Sequence, residues 1–232
     1  MDSLAAGPTR AVPTAREEGR AAAAHREHRA RTELLVGAVL VLAVAVVGVV
    51  FAFRPSPVFI DRWVLDLVGP SGNGALTRVT VLRYPAVIVV ASALVAAVAF
   101  PTDRLRSLAC LVGPPLALLT CELVLKPLVG RHLGGGLSYP SGSTVGAAAL
   151  ATAAALAVPA RWRTATIVVG VAYSVWMAVA VVALQWHLPT DAVAGLAYGT
   201  GVVLVMDGAL AVGGRALVAR PTRKHGTASG GG

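Results

Sequence analysis

At 232 residues the chain suits one domain, but 56% hydrophobic residues against 13% charged exclude an ordinary soluble enzyme. A mean hydropathy of +0.73 points the same way. A formal charge of +9 would suggest nucleic acid in a soluble protein; here the basic residues flank apolar runs, so the expected partner is a membrane and no nucleic acid.

In chain order, residues 1–33 are rich in Ala, Arg, Glu and His with no apolar face wide enough to bury, and are expected to form a mobile, basic, cytoplasmic tail, partly helical near the membrane. Leu34–Phe53 is an uncharged run of twenty residues, enough to cross a hydrocarbon core of about 30 Å. It lies far from the first residue and no small-residue cleavage site follows, so it reads as an anchor and not a signal peptide. After it, Val58–Val68 predicts a short helix at the membrane interface, with Trp63 at headgroup level. Pro70-Ser-Gly-Asn73 reads as a turn.

Five further candidate spans follow: Tyr84–Phe100, Ser107–Leu125, Ser143–Ala160, Thr164–Leu184 and Ala192–Val212. Pro85, Pro114 and Pro115 are tolerated there because neighbouring helices re-satisfy the freed carbonyls. Cys110 and Cys121 are eleven apart on one predicted helix and read as packing residues. The expected fold is all-α: a six-helix membrane domain over 34–212, then a Gly-rich basic tail over 213–232 expected to be disordered.

Charge orients the spans. With the N-terminus in the cytoplasm, Arg10, Arg16, Arg20, Arg26, Arg29, Arg31, Arg104, Arg106, Arg161, Arg163, Arg215, Arg220, Arg223 and Lys224 lie inside. Arg54, Arg62, Arg78, Arg83, Lys126 and Arg131 lie outside. The excess of inner cations favours this placement, with both termini cytoplasmic in a multi-pass plasma-membrane protein.

Two polar stretches interrupt the apolar sequence on the expected outer face. One runs from Lys126-Pro-Leu-Val-Gly-Arg131 into Tyr139-Pro-Ser-Gly-Ser143, and the other is His187-Leu-Pro-Thr-Asp191. Together they gather what a phosphate site requires: cations, exposed amide donors at Ser141-Gly142 where a helix begins, and an imidazole. Each residue alone has a plainer reading. Lys126 has an i,i+4 partner in Glu122, Ser141 suits a helix N-cap, His187 sits beside Trp186, and Asp191 suits a first helical turn. His187 and Asp191 are four apart, so one helical turn would bring carboxylate to imidazole.

These stretches resemble the phosphatidic acid phosphatase type 2 (PAP2)/haloperoxidase-like family of integral-membrane lipid phosphatases. Its signature is Lys-x6-Arg-Pro, Pro-Ser-Gly-His and Ser-Arg-x5-His-x3-Asp. The resemblance covers roughly residues 55–212. Pro140-Ser141-Gly142-Ser143 carries the second motif with Ser143 in place of its His, and His187-x3-Asp191 carries the end of the third. Ala180-Val181 stands where the third motif has Ser-Arg. Leu133-Gly134 replaces Arg-Pro in the first, where Arg131 takes the earlier of two Arg positions.

The resemblance implies a PAP2-type helix bundle and metal-independent chemistry without a cofactor. It implies that Lys126, Arg131, Ser141 and Gly142 bind phosphoryl oxygens of a lipid phosphate or diphosphate. His187 would attack to form a phosphohistidine, and Asp191 would fix its tautomer and stabilise its charge. Ser143 cannot act as the acid that the family's His supplies, for which His132 is the residue nearby in sequence, and Val181 cannot neutralise phosphate as the family's Arg does, a charge that Arg78 or Arg83 could supply from the first loop. The alternatives are a silent protein of the same fold that binds lipid phosphate without turnover and, further back, a transporter or structural subunit. A transporter would place ionisable groups near mid-span, whereas here they gather at the ends.

Overall fold

A computed structural model of the chain describes residues 14–69 and 74–218. It is a helical bundle whose only β structure among these residues is one two-residue hairpin. Helix α1 spans Ala15–Phe53, α2 Phe59–Val68, α3 Gly74–Val79, α4 Pro85–Ala99 and α5 Arg104–Thr120. A π-helical turn, Cys121–Leu125, leads into α6, Lys126–Val129. Strands β1 (His132–Leu133) and β2 (Gly136–Leu137) precede α7 (Gly142–Ala157), α8 (Ala160–Ala183) and α9 (Pro189–Val218).

Among the described residues, four helices are long and apolar enough to cross a membrane: Arg16–Phe53, Arg104–Val129, Ala160–Ala183 and Pro189–Gly214. The other two expected spans are helices as well, but Pro85–Ala99 and Gly142–Ala157 are shorter. At 1.5 Å per residue the sixteen residues of the latter rise about 24 Å, short of the hydrocarbon core. The outward surface agrees with a membrane protein. Leu35, Val39 and Leu42 on α1 and Val168, Val169 and Trp176 on α8 are exposed, an apolar belt that water would not tolerate.

The tail expectations change where residues are described. The chain is helical from Ala15, because Thr14 and Glu17 form a reciprocal capping box and Glu27–Arg31 and Arg29–Glu33 pair at i,i+4. Residues 213–218 continue α9 as helix. Residues 1–13, 219–232 and the Pro70–Asn73 turn lie outside the described residues.

Helix α7 is the centre of the bundle. Twelve of its residues are buried, nearly all Ala, Gly, Ser, Thr or Val, so α4, α5, α8 and α9 can pack closely around it. Helix α1 lies along α9, where Gly37 faces the backbone at Gly201 and a side chain on either would clash. Cys110 and Cys121 are free and buried. This packing fixes one end of α7, its Gly142 end, against the ends of α5 and α9.

Candidate functional site

The polar residues near Gly142 are positioned by three chain breaks. The π turn after α5 adds a residue to the helical repeat and turns Glu122 towards the start of α7. Helix α6 then ends at Gly130 in the left-handed conformation (φ 64°), and Gly134-Gly135, both at positive φ, close the β1–β2 hairpin. At the end of α8, Gln185 adopts φ 55°, and the Trp186 and His187 amides both donate to the Val181 carbonyl.

The two motif stretches meet directly. The Ser141 amide donates to the Asp191 carbonyl at 3.0 Å. His187 Nδ1 lies 2.9 Å from the Ser138 carbonyl, three residues before Ser141. A carbonyl only accepts, so Nδ1 carries the proton and Nε2 keeps its lone pair. Burial first, and the nearby Lys126 charge second, push the His187 imidazole down to about 4, with the Ser138 carbonyl opposing them. The ring is therefore neutral at physiological pH.

At the N-terminus of α7, Ser141 is the N-cap and is fully buried, and its hydroxyl has no hydrogen-bond partner among the described residues. Gly142 opens the helix, and Ser143 is buried behind it. A Cβ at Gly142 would fall on the Glu122 carboxylate, so only glycine admits that approach. Glu122 also pairs with Lys126 at 2.8 Å, and its side chain is 42% exposed. An anion thus already stands between a lysine and a helix N-terminus, where negative charge is favoured. Here the occupant is the protein's own carboxylate.

Arg131 is elsewhere. It is fully buried and stacked over Phe51 at 3.9 Å. It donates to Asp191 at 2.6 Å, Asp61 at 3.0 Å, Thr190 Oγ1 at 2.9 Å and the Pro55 carbonyl at 3.0 Å. With its donors committed to protein groups, it is a fastener between α2, the hairpin loop and α9, and not a phosphate ligand. Asp191 also differs from expectation. Its carboxylate takes Arg131 and the Leu188 amide, and its expected place at the imidazole is held by the Ser138 carbonyl. The reason is geometric: α9 begins at Pro189, so His187 lies outside the helix and the i,i+4 relation does not operate.

Val181 is buried among Met177, Ala147 and Ala192 and brings no charge. His132 is exposed on the hairpin and its Nδ1 contacts the Gly130 carbonyl, and Arg78 is exposed on α3. Sequence reasoning overlooked Asp61 and Ser138. Asp61 is a lone acid on the inner face of α2 that also accepts the Thr190 amide at 2.9 Å. The signal for it was present, since a carboxylate among Phe, Ile, Trp and Val needs a partner. Ser138 acts through its backbone, which no side-chain pattern reveals.

The model of the PAP2 superfamily matches residues 107–208, from α5 into α9. Those residues include the whole of the Lys126–Glu122, Ser141–Gly142 and His187 arrangement. No curated protein and no solved structure matches the chain.

Proposed function

From the premise that residues 107–208 form a PAP2-superfamily domain, we propose that this chain is an integral-membrane phosphatase that hydrolyses lipid phosphates or diphosphates through His187. A PAP2 domain and four membrane-capable helices support a membrane phosphatase in general terms. The finer reading rests on one observation: a buried, neutral imidazole whose Nδ1–H is held by the Ser138 carbonyl, so that Nε2 carries the lone pair, with Lys126 within electrostatic reach of the ring.

In the proposed reaction the substrate phosphate displaces the Glu122 carboxylate and takes Lys126, the Ser141 hydroxyl and the first α7 amides. Nε2 attacks phosphorus, the bond to the leaving oxygen breaks, and a phosphohistidine forms. Its positive charge is shared with the Nδ1–H bond to Ser138. Water then attacks phosphorus and returns the electron pair to Nε2. Six membrane helices, α2 at the interface, cytoplasmic termini and an outer-facing site complete the proposal, on the excess of inner cations.

Ser143 shapes the substrate choice. A phosphate monoester expels an alkoxide that needs a proton, whereas a lipid diphosphate expels a phosphate, a far weaker base. A missing general acid costs about 10²–10⁴ in rate, chiefly on poor leaving groups. The chain should therefore prefer lipid diphosphates, with a polyprenyl diphosphate as the natural candidate. The test is phosphate release by purified protein from lipid mono- and diphosphates, beside His187→Ala and Ser143→His. Release that survives His187→Ala ends the nucleophile assignment; equal gains on both substrates from Ser143→His end the leaving-group argument. Phosphate binding without release by wild type would favour the silent binder, the reading that the committed Arg131 and the uncharged Val181 support.

A further inference from the structure

The far end of α7 carries a cavity that the site does not use. It is a half-open trough of about 450 Å³ over Ala151 and Ala155 of α7, walled by Val171 of α8 and Leu204 of α9. That volume falls in the range of ligand sites. Its interior is almost wholly apolar because the α7 surface there is alanine, which leaves a trough between the flanking helices. From Arg163 to Ser174, both lining it, are eleven residues of α8, so the slot runs about 16 Å along the helix.

Two guanidiniums stand on its wall, Arg29 from α1 and Arg163 from the first turn of α8. Arg29 uses its Nε on Glu33 at 2.8 Å, and Arg163 uses its Nε on the Ala155 carbonyl at 3.3 Å. Arg106, within electrostatic reach of Arg163, is matched by Asp207 at 3.1 Å. Of the carboxylates in reach, Glu33 pairs with Arg29 and Asp207 with Arg106, which Asp103 also faces electrostatically. Arg163 is the one left without an ion pair among the described residues. An apolar slot with an uncompensated guanidinium beside it fits an amphiphile with a negative head.

We propose that this cavity binds an anionic diacyl phospholipid, with its phosphodiester at Arg29 and Arg163 and one acyl chain in the slot. Basic pockets between membrane helices on the cytoplasmic side recognise anionic headgroups in this way. A zwitterionic lipid brings a cation that the arginines repel. A free phosphate satisfies the arginines and leaves 16 Å of apolar wall uncovered. Because α7 forms the floor, the bound lipid joins α7, α8 and α9, and lipid that binds the folded bundle raises its stability.

The test uses the full chain in detergent, titrated with phosphatidylglycerol, phosphatidylcholine or glycerol 3-phosphate, read by native mass spectrometry and by Tm. Wild type should bind phosphatidylglycerol about tenfold more tightly than phosphatidylcholine, and Arg163→Gln should abolish that preference. Val171→Trp, at an exposed position on the slot wall, should weaken phosphatidylglycerol with both arginines intact. Ser174→Ala should change nothing, because a hydrocarbon chain offers its hydroxyl no bond. Equal binding of the two lipids, or a preference that survives Arg163→Gln, overturns the headgroup assignment. Competition by glycerol 3-phosphate as strong as by the lipid, or a loss in Ser174→Ala, overturns the chain in the slot. Neither readout requires phosphatase activity, so this inference stands or falls apart from the one on His187.

Discussion

Two ion clusters lie at the Gly142 end of the bundle, and they are built for opposite purposes. Around Arg131, the guanidinium and both carboxylates, Asp61 and Asp191, are completely buried, and each is tied to backbone or hydroxyl groups. Around Lys126, the partner Glu122 is 42% exposed and leans on Gly142, beside a buried Ser141 hydroxyl with no partner among the described residues. The first cluster is closed and joins α2, the hairpin loop and α9. The second is open and unfinished. A buried ion pair adds little net stability against apolar packing, but losing one member leaves an uncompensated charge. An open pair at a helix N-terminus can exchange its anion at small cost. The arginine joins three segments, and the lysine is the cation that the proposed function assigns to a ligand.

The sharpest way to break this contrast is Arg131→Met, which leaves Asp61 and Asp191 buried and unpaired. It should destabilise the protein by about 3–5 kcal/mol, read as a lowered unfolding midpoint in detergent. A variant that kept wild-type stability and lost only phosphate binding would return Arg131 to the ligand set. Next in size is the acid response of His187. An unfolded imidazole takes up its proton near 6.5 and the folded one near 4, so between these values the unfolded chain binds more protons. Stability should be level above about pH 6.5 and fall by up to about 3 kcal/mol as the pH drops towards 4. An NMR titration of the His187 ring, assigned with His187→Ala, checks this directly; a midpoint near 6.5 would mean an open, solvated ring. Smaller again is Lys126→Met, expected to raise KM or the Kd for inorganic phosphate by the roughly 1.5–3 kcal/mol of a charged hydrogen bond, with the unfolding midpoint nearly unchanged.

Lys126, Ser141, Gly142 and His187 were legible because polar residues inside apolar sequence are costly and so stand out. Their convergence followed from placing both stretches at one end of the spans. Arg131 was misread because its partner Asp61 is seventy positions away, and no local spacing shows that a loop arginine will be enclosed by an earlier helix. Asp191 was expected at the imidazole on the assumption that one helical turn spans both residues; with Pro189 as the first helical residue, His187 lies off the helix and turns to Ser138 instead. The π turn at Cys121–Leu125 leaves no trace in hydrophobic period, so Glu122 read only as a partner on the lysine's own helix. The start of α1 at Ala15 was passed over, although Thr14-x-x-Glu17 carries the spacing of a capping box.

Glu122 gives the finest probe of the open cluster. Its carboxylate sits on Lys126 and against Gly142, the groups that a phosphate would use, so ligand and side chain compete for one place. The pair is partly exposed, and such pairs are worth at most about 1 kcal/mol. Glu122→Gln keeps the shape and removes the competing charge. Binding of inorganic phosphate should then tighten by up to about fivefold, with the unfolding midpoint hardly moved. Lys126→Met should cancel the gain, because without the lysine there is no shared cation to free, so the two substitutions should be non-additive. Weaker phosphate binding in Glu122→Gln would mean that the carboxylate helps to hold the ligand by fixing Lys126. Additive effects in the double variant would place phosphate away from the Gly142 end of α7.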